Sequence, residues 1–336
     1  MKTILFSVTL LLLINNSSFS QTEPVLGFDF LNKIPGQWNG PVTSTTSAGS
    51  FDQWYVDFRP VSASQVSQFS LLDSNTVNIF SFFVVKHDGK LKLAMRTEGC
   101  FKNQCCVTYE VMDSVATSGN YFRFCDFVKG VKRAYTEFVF NGDEMTMKVY
   151  TNKFNKVFPL EPHTTWTATL ASRDNAKDAI AHFNYPQPKM IKDFSDEFKN
   201  MEESIFFNLD NDPYKTADQP YLGSITVNIS IDKKLNVVPT DEICILLTTK
   251  PFFEGIQYLP ERKKFISKAV FLTSETSVYT IKNAHPGKYY IYTYVDKNND
   301  KKHLSGDYMN SNVTQSFVVP PDGNASVNSH IDFIIP

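Results

Sequence analysis

Four short oxygen-bearing side chains, Asp296, Asn298, Asp300 and Asp307, occupy positions 1, 3, 5 and 12 of a single loop, with Lys302 at position 7. That spacing gathers ligands for a hard cation, and the cation it implies is Ca2+. A bound ion would neutralise three carboxylates that otherwise repel, so its expected role is structural. Two features oppose it: Lys301 stands at position 6, where helix-flanked calcium loops use Gly, and Asp and Asn also favour plain turns.

Four of the five cysteines, Cys100, Cys105, Cys106 and Cys125, cluster in the first half of the chain and are the disulfide candidates. Spacing favours a short bridge from Cys100 to Cys105 or Cys106, because neighbouring strand residues point to opposite faces. Cys125 would need a bulge or another strand order to join them. No histidine accompanies the cluster at a zinc-ligand spacing. Cys244, inside an Ile-Cys-Ile-Leu-Leu run, reads as a buried apolar residue.

Catalytic patterns are sparse. The six histidines show no HxxxH or HE pairing, and no GxSxG elbow occurs. A haem site would need a proximal ligand such as His163 or His182. A formal net charge of −2 with no basic stretch argues against nucleic acid.

The elements that must position these residues are strands. Aromatics form 14% of the chain, with 29 Phe against 14 Gly, and they recur in short alternating runs. Residues 1–20 carry Lys2, an apolar stretch and a small-residue exit, which is the pattern of a secretory signal. The expected location is therefore secreted: periplasmic, cell-surface or extracellular. No later stretch has the roughly 20 apolar residues of a membrane helix.

Residues 24–185 then read as nine or ten strands joined by tight turns, Asp88-Gly89 and Asn141-Gly142 among them. Such an antiparallel up-and-down series hides its edges best as a closed β-barrel. A linker at 186–220 carries Phe194, Phe198, Met201 and Ile205 at helical spacing, which predicts a short amphipathic helix. Residues 221–336 hold about seven strands, the pattern of a β-sandwich. The fold class is all-β.

The first unit, with Gly36-Gln37-Trp38 opening its strand series, resembles the lipocalin and fatty-acid-binding barrel superfamily. That resemblance implies a structural Trp38 at the closed barrel end and an interior for a lipophilic ligand. The chain lacks the Arg-x-Tyr pair with which that family grips a carboxylate, and Pro41-Val42 with the Ser/Thr-rich 43–50 makes an unusual first loop. The second unit, with His285-Pro286-Gly287-Lys288-Tyr289 followed by the Asp296 loop, resembles transthyretin-like and carboxypeptidase-regulatory-like modules.

The candidate ligand face is Trp54, Val56 and Phe58 with Phe80, Phe82 and Val84; the alternative is that these side chains simply fill a barrel core. Arg96 and Arg123 are expected on the outside. The expected function is a secreted non-catalytic protein whose barrel binds a small apolar or amphipathic ligand, the second unit acting as spacer or docking module. The rival readings are a glycan or lipid hydrolase with an accessory sandwich, and an adhesive or structural surface protein without a pocket.

Overall fold

The computed structural model describes residues 25–45, 49–69, 71–73, 76–101, 104–128, 131–151, 161–174, 221–255, 257–300 and 305–336. The helix expected around Phe194 to Ile205 falls outside them.

The first unit is a closed barrel of ten antiparallel strands. In chain order they are β1 (Gly36–Ser44), β2 (Phe51–Ser62), β3 (Gln65–Phe69), β5 (Thr76–His87), β6 (Lys90–Phe101), β7 (Gln104–Val115), β8 (Tyr121–Val128), β9 (Val131–Asn141), β10 (Glu144–Thr151) and β11 (Thr164–Ser172), with the short β4 (Leu71–Asp73) on the edge of β5. Closure comes from the pairing of β11 with β1 and of β3 with β5. The tight turns form as the sequence implies, with Asp88 at φ +50° and Gly89 at φ +74° joining β5 to β6. One expectation changes. Pro41-Val42 belongs to β1 and not to a loop, because the register shifts between Gly40 and Val42 and so accommodates a residue without an amide.

One end of this barrel is plugged from within. Residues 25–34 fold across it, tied to β6 by the Leu26 amide to the Leu91 carbonyl and the Leu93 amide to the Leu26 carbonyl, both 3.0 Å. The short helix α1 (Phe30–Lys33) drops Phe30 into the interior, its ring 4.7 Å from Phe82, 5.0 Å from Phe138 and 5.3 Å from Phe122 and Phe124. Trp38, fully buried, donates from Nε1 to the Ile34 carbonyl at 2.9 Å. Arg173, just past β11, stands 5.4 Å over the Trp38 ring and hydrogen-bonds the Lys33 carbonyl. The tryptophan at the start of the strand series therefore closes the barrel.

The second unit is a separate curled sheet of eight strands: β12 (Gly223–Ile231), β13 (Glu242–Thr248), β16 (Ile266–Thr273), β17 (Val278–Ala284), β18 (Gly287–Asp296), β19 (Tyr308–Asn310), β20 (Ser316–Val319) and β21 (Asn324–Ile334). A small hairpin, β14 (Phe253–Glu254) with β15 (Gln257–Tyr258), lies beside it. The strands are those a sandwich would use. They stay in one hydrogen-bonded sheet because β21 pairs both with β19 and, in parallel, with β12. The apolar run of β13 is continuous because both of its faces are covered: Ile243, Ile245 and Leu247 enter one core, Cys244 and Leu246 another. Burial raises the Cys244 thiol's pKa, as expected for an apolar cysteine.

The two units touch where the Pro-Gly-x-Tyr motif turns into β18. The Tyr289 hydroxyl donates to the His285 carbonyl at 2.8 Å and accepts from the Ala63 amide of the barrel at 3.2 Å. Gly287 sits at φ +127°, and a β-carbon there would stand 2.8 Å from that of Ala63, so only glycine permits the approach. Ser62 to Ser267 at 2.8 Å and Thr249 to the Pro60 carbonyl at 2.8 Å complete the seam. His285 is buried in it 6.4 Å from the Phe83 ring, and burial lowers its pKa to about 3, so it is neutral at physiological pH.

Candidate functional site in the barrel interior

Strand alternation sends every second side chain inward. On β2 these are Trp54, Val56 and Phe58, and on β5 Phe80, Phe82 and Val84; all six are buried in one apolar cluster. Trp54 packs 4.6 Å from Trp166 and 6.2 Å from Phe80, and Phe58 lies 6.0 Å from Phe82. The structure thus brings together every residue of the expected ligand face. Toward the plug these rings meet Phe30 and its neighbours and fill the interior as a packed core.

The half of the barrel away from the plug carries different chemistry. On β7 Glu110 pairs with Met95 of β6 and keeps the inward phase of Met112. On β8 Asp126 keeps the inward phase of Phe122 and Phe124. Val111 pairs with Cys125, so one step further from the plug Glu110 and Asp126 face each other on adjacent strands. On β9 Thr136, paired with Phe124, donates from Oγ1 to Glu110 Oε1 at 3.2 Å. All three are buried, Glu110 to 4% and Asp126 to 8% exposure.

A second carboxyl in an apolar interior works against the ionisation of Glu110. Burial, above all, raises the Glu110 pKa to about 8; Asp126 pushes the same way, and the Thr136 hydrogen bond partly opposes them. Glu110 therefore holds its proton at pH 7. Its Oε2 is buried without a hydrogen-bond partner, and so is the indole Nε1 of Trp54 on another wall of the same interior. A buried polar atom left unpaired costs roughly 1–3 kcal/mol. Perturbed, incompletely satisfied carboxyls of this kind concentrate at functional sites.

The sequence carried one signal for this patch that went unread. The run 105–112 carries none for Glu110, since Cys105, Val107, Tyr109 and Val111 alternate against it, but Phe122-Arg123-Phe124-Cys125-Asp126 puts Asp126 in phase with two phenylalanines. A charge in the inward phase is the mark of a polar spot inside a barrel.

The described cations of the barrel strands do not share this interior. Arg59, Lys92, Arg96, Arg123 and Lys148 fall in the outward phase, and Lys86 and Lys90 are exposed at the plugged end. Arg123 forms a bidentate pair with Asp113 on the outer wall, Nε to Oδ1 at 2.9 Å and Nη2 to Oδ2 at 3.0 Å. Arg96 shares the outward phase, where it is buried. His163 stands beside Thr164, Nδ1 to Oγ1 at 2.8 Å, while His182 lies outside the described residues.

The other sequence-marked residues stand apart from this site. In the 296–307 loop Asp296 and Asp307 are buried at the base. Asp296 Oδ1 and Asn298 Oδ1 both accept the Asp300 amide at 3.2 Å, and Asp307 Oδ1 accepts the Lys297 amide at 3.0 Å. Lys297 reaches back to Asp241 at 2.5 Å. Among the described residues no three His, Cys, Asp or Glu side chains converge as a metal-holding group, and Lys302 lies outside them. In the β6–β7 hairpin Cys100 is the cross-strand partner of Cys105, and Gly99 that of Cys106. Cys125, opposite Val111, is five residues along β7 from Cys106, roughly 17 Å at strand rise and far beyond disulfide reach.

No protein-family model and no curated protein matches the chain. Among solved structures, the Bacillus anthracis TIE protein aligns over 82% of this chain and 40% of its own at 10% identity and TM-score 0.20. A pilus-presented adhesin, Spy0125 (Cpa), aligns over 88% of this chain and 95% of its own at 9% identity and TM-score 0.20. This chain spans less than half the length of the first. Neither superposition is close enough to carry fold or function across. Among the described residues no helix is long and apolar enough to cross a membrane.

Proposed function

We propose that this is an exported binding protein of lipocalin-like kind, whose barrel holds a small amphipathic molecule and whose curled sheet serves as spacer or docking module. The observation that carries the reading is the polar patch of Glu110, Asp126 and Thr136 inside an otherwise apolar barrel, with Glu110 Oε2 and Trp54 Nε1 left without partners. A barrel kept only for its core would be more stable with apolar residues there, since replacing buried charged groups by packed apolar ones is often neutral or stabilising. A ligand that completes these hydrogen bonds explains why the groups are present. Its apolar body would lie against Trp54, Phe80 and Trp166.

Native mass spectrometry of the protein purified from its own host tests this directly. The expected result is an added mass that survives gentle ionisation, is released on unfolding, and is lost or reduced in the Glu110→Gln, Asp126→Asn double variant. A host-purified protein of bare chain mass, with a variant indistinguishable from it, would contradict the reading.

A further inference from the structure

All three tryptophans of the chain stand in the barrel core, and two of them have their indole N–H satisfied. Trp38 Nε1 donates to the Ile34 carbonyl at 2.9 Å, and Trp166 Nε1 to the Gly40 carbonyl at 3.2 Å. Trp54 is only 4% exposed, and its Nε1 has no acceptor. We propose that this N–H is the group by which the barrel selects its ligand, and that the ligand is an apolar molecule carrying an accepting oxygen, a carbonyl or an ether, seated against Trp54. The inference rests on the ligand-binding reading above and names the ligand class.

An indole N–H donates and cannot accept, so the kind of partner it takes is fixed. The residues around Trp54 do not supply one. Gly40 is its cross-strand partner on β1, and the Gly40 carbonyl already takes the Trp166 N–H. The rings beside it, Trp166 at 4.6 Å and Phe80 at 6.2 Å, carry no acceptor. Native cores pair nearly all of their buried polar atoms, as the other two tryptophans do. A ring needed only for packing would be better served by phenylalanine, which fills the same interior at Phe58 and Phe80 without leaving a donor unpaired. A ligand oxygen satisfies the N–H on binding, so the site favours oxygen-bearing molecules over hydrocarbons of the same shape.

The test uses the intact chain and three one-ring probes of equal heavy-atom count: acetophenone with a carbonyl, phenetole with an ether oxygen, and cumene with neither. Nitrogen-15 NMR follows the indole N–H resonances, with Trp54 assigned by through-space contact to Phe80. Those of Trp38 and Trp166, already engaged, are internal controls. Acetophenone and phenetole are expected to move the Trp54 N–H proton downfield relative to cumene. Trp54→Phe should weaken the oxygen-bearing probes about five- to tenfold and cumene less than about twofold, a comparison in which the probes' own hydrophobicity cancels. Whichever oxygen loses more in the variant is the one the site reads. Near-UV circular dichroism checks that the variant folds, and the shifts in the wild-type chain stand without it.

Oxygen-bearing probes that bind while the Trp54 N–H behaves as it does with cumene, or a folded variant that weakens all three probes alike, overturn the role of Trp54 and leave the ligand-binding reading in place. If none of the three binds, the ligand-binding reading falls with it.

Discussion

The two halves of the barrel interior are made of opposite materials. At the plugged half Phe30, Phe82, Phe122, Phe138 and Trp38 interlock ring against ring, and Trp38 satisfies its one polar atom on the Ile34 carbonyl. In the half beyond it, two acids share an apolar enclosure, and both an acceptor and an indole donor have no partner. The first half is built as a native core should be. The second carries a stability cost, and such costs are retained where they serve binding or chemistry.

The sharpest way to break this contrast is to truncate one side chain from each half. Phe30→Ala removes the ring at the centre of the plug and should destabilise the protein by about 3–5 kcal/mol in denaturant melts. Glu110→Gln should leave the folded state at least as stable as wild type above pH 8, because it removes only a group that resists ionisation. Comparable losses from both would erase the distinction.

A pH series sharpens it further. The folded Glu110 pKa, about 8, lies above its ordinary 4.5, so the native state holds a proton that the unfolded chain gives up between those values. Stability from this group is fully present below pH 4.5 and falls by up to about 1.4 kcal/mol per pH unit as the pH rises toward 8. Above that, both states are ionised and the slope ends. Melting curves from pH 5 to 8.5 should decline more steeply for wild type than for Glu110→Gln. Parallel curves would place Glu110 in water.

The smallest effect belongs to the other unit. The 296–307 loop already engages Asp296 and Asp307 with main-chain amides, which leaves a cation only the remaining oxygens. A structural Ca2+ held there with millimolar affinity should raise the melting midpoint by about 2–4 °C at ten times its Kd. A midpoint that calcium does not move disposes of the metal reading and leaves the loop as an amide-closed turn.

The strand series, its turns and the inward phase of Trp54 to Phe58 and Phe80 to Val84 were legible because alternation is a local property of sequence. Barrel closure was legible in outline, since an antiparallel meander of this length must hide its edges. The curl of the second sheet was not: the parallel pairing of β12 with β21 joins residues a hundred apart, and nothing local encodes it. Nor was the plug, where Phe30 acts through five rings that lie far from it in the chain. The polar patch lay between these cases. Asp126 sits visibly in an apolar phase, but only the register of β7 with its neighbours turns Glu110 inward and sets it against Asp126.

Glu110 is an enclosed carboxyl that holds its proton at neutral pH. Carbon-13 NMR titration of the glutamate side-chain carboxyls, with Glu110 assigned by its loss in Glu110→Gln, measures this most directly. The account predicts a midpoint near 8. A midpoint near the ordinary 4.5 would contradict it.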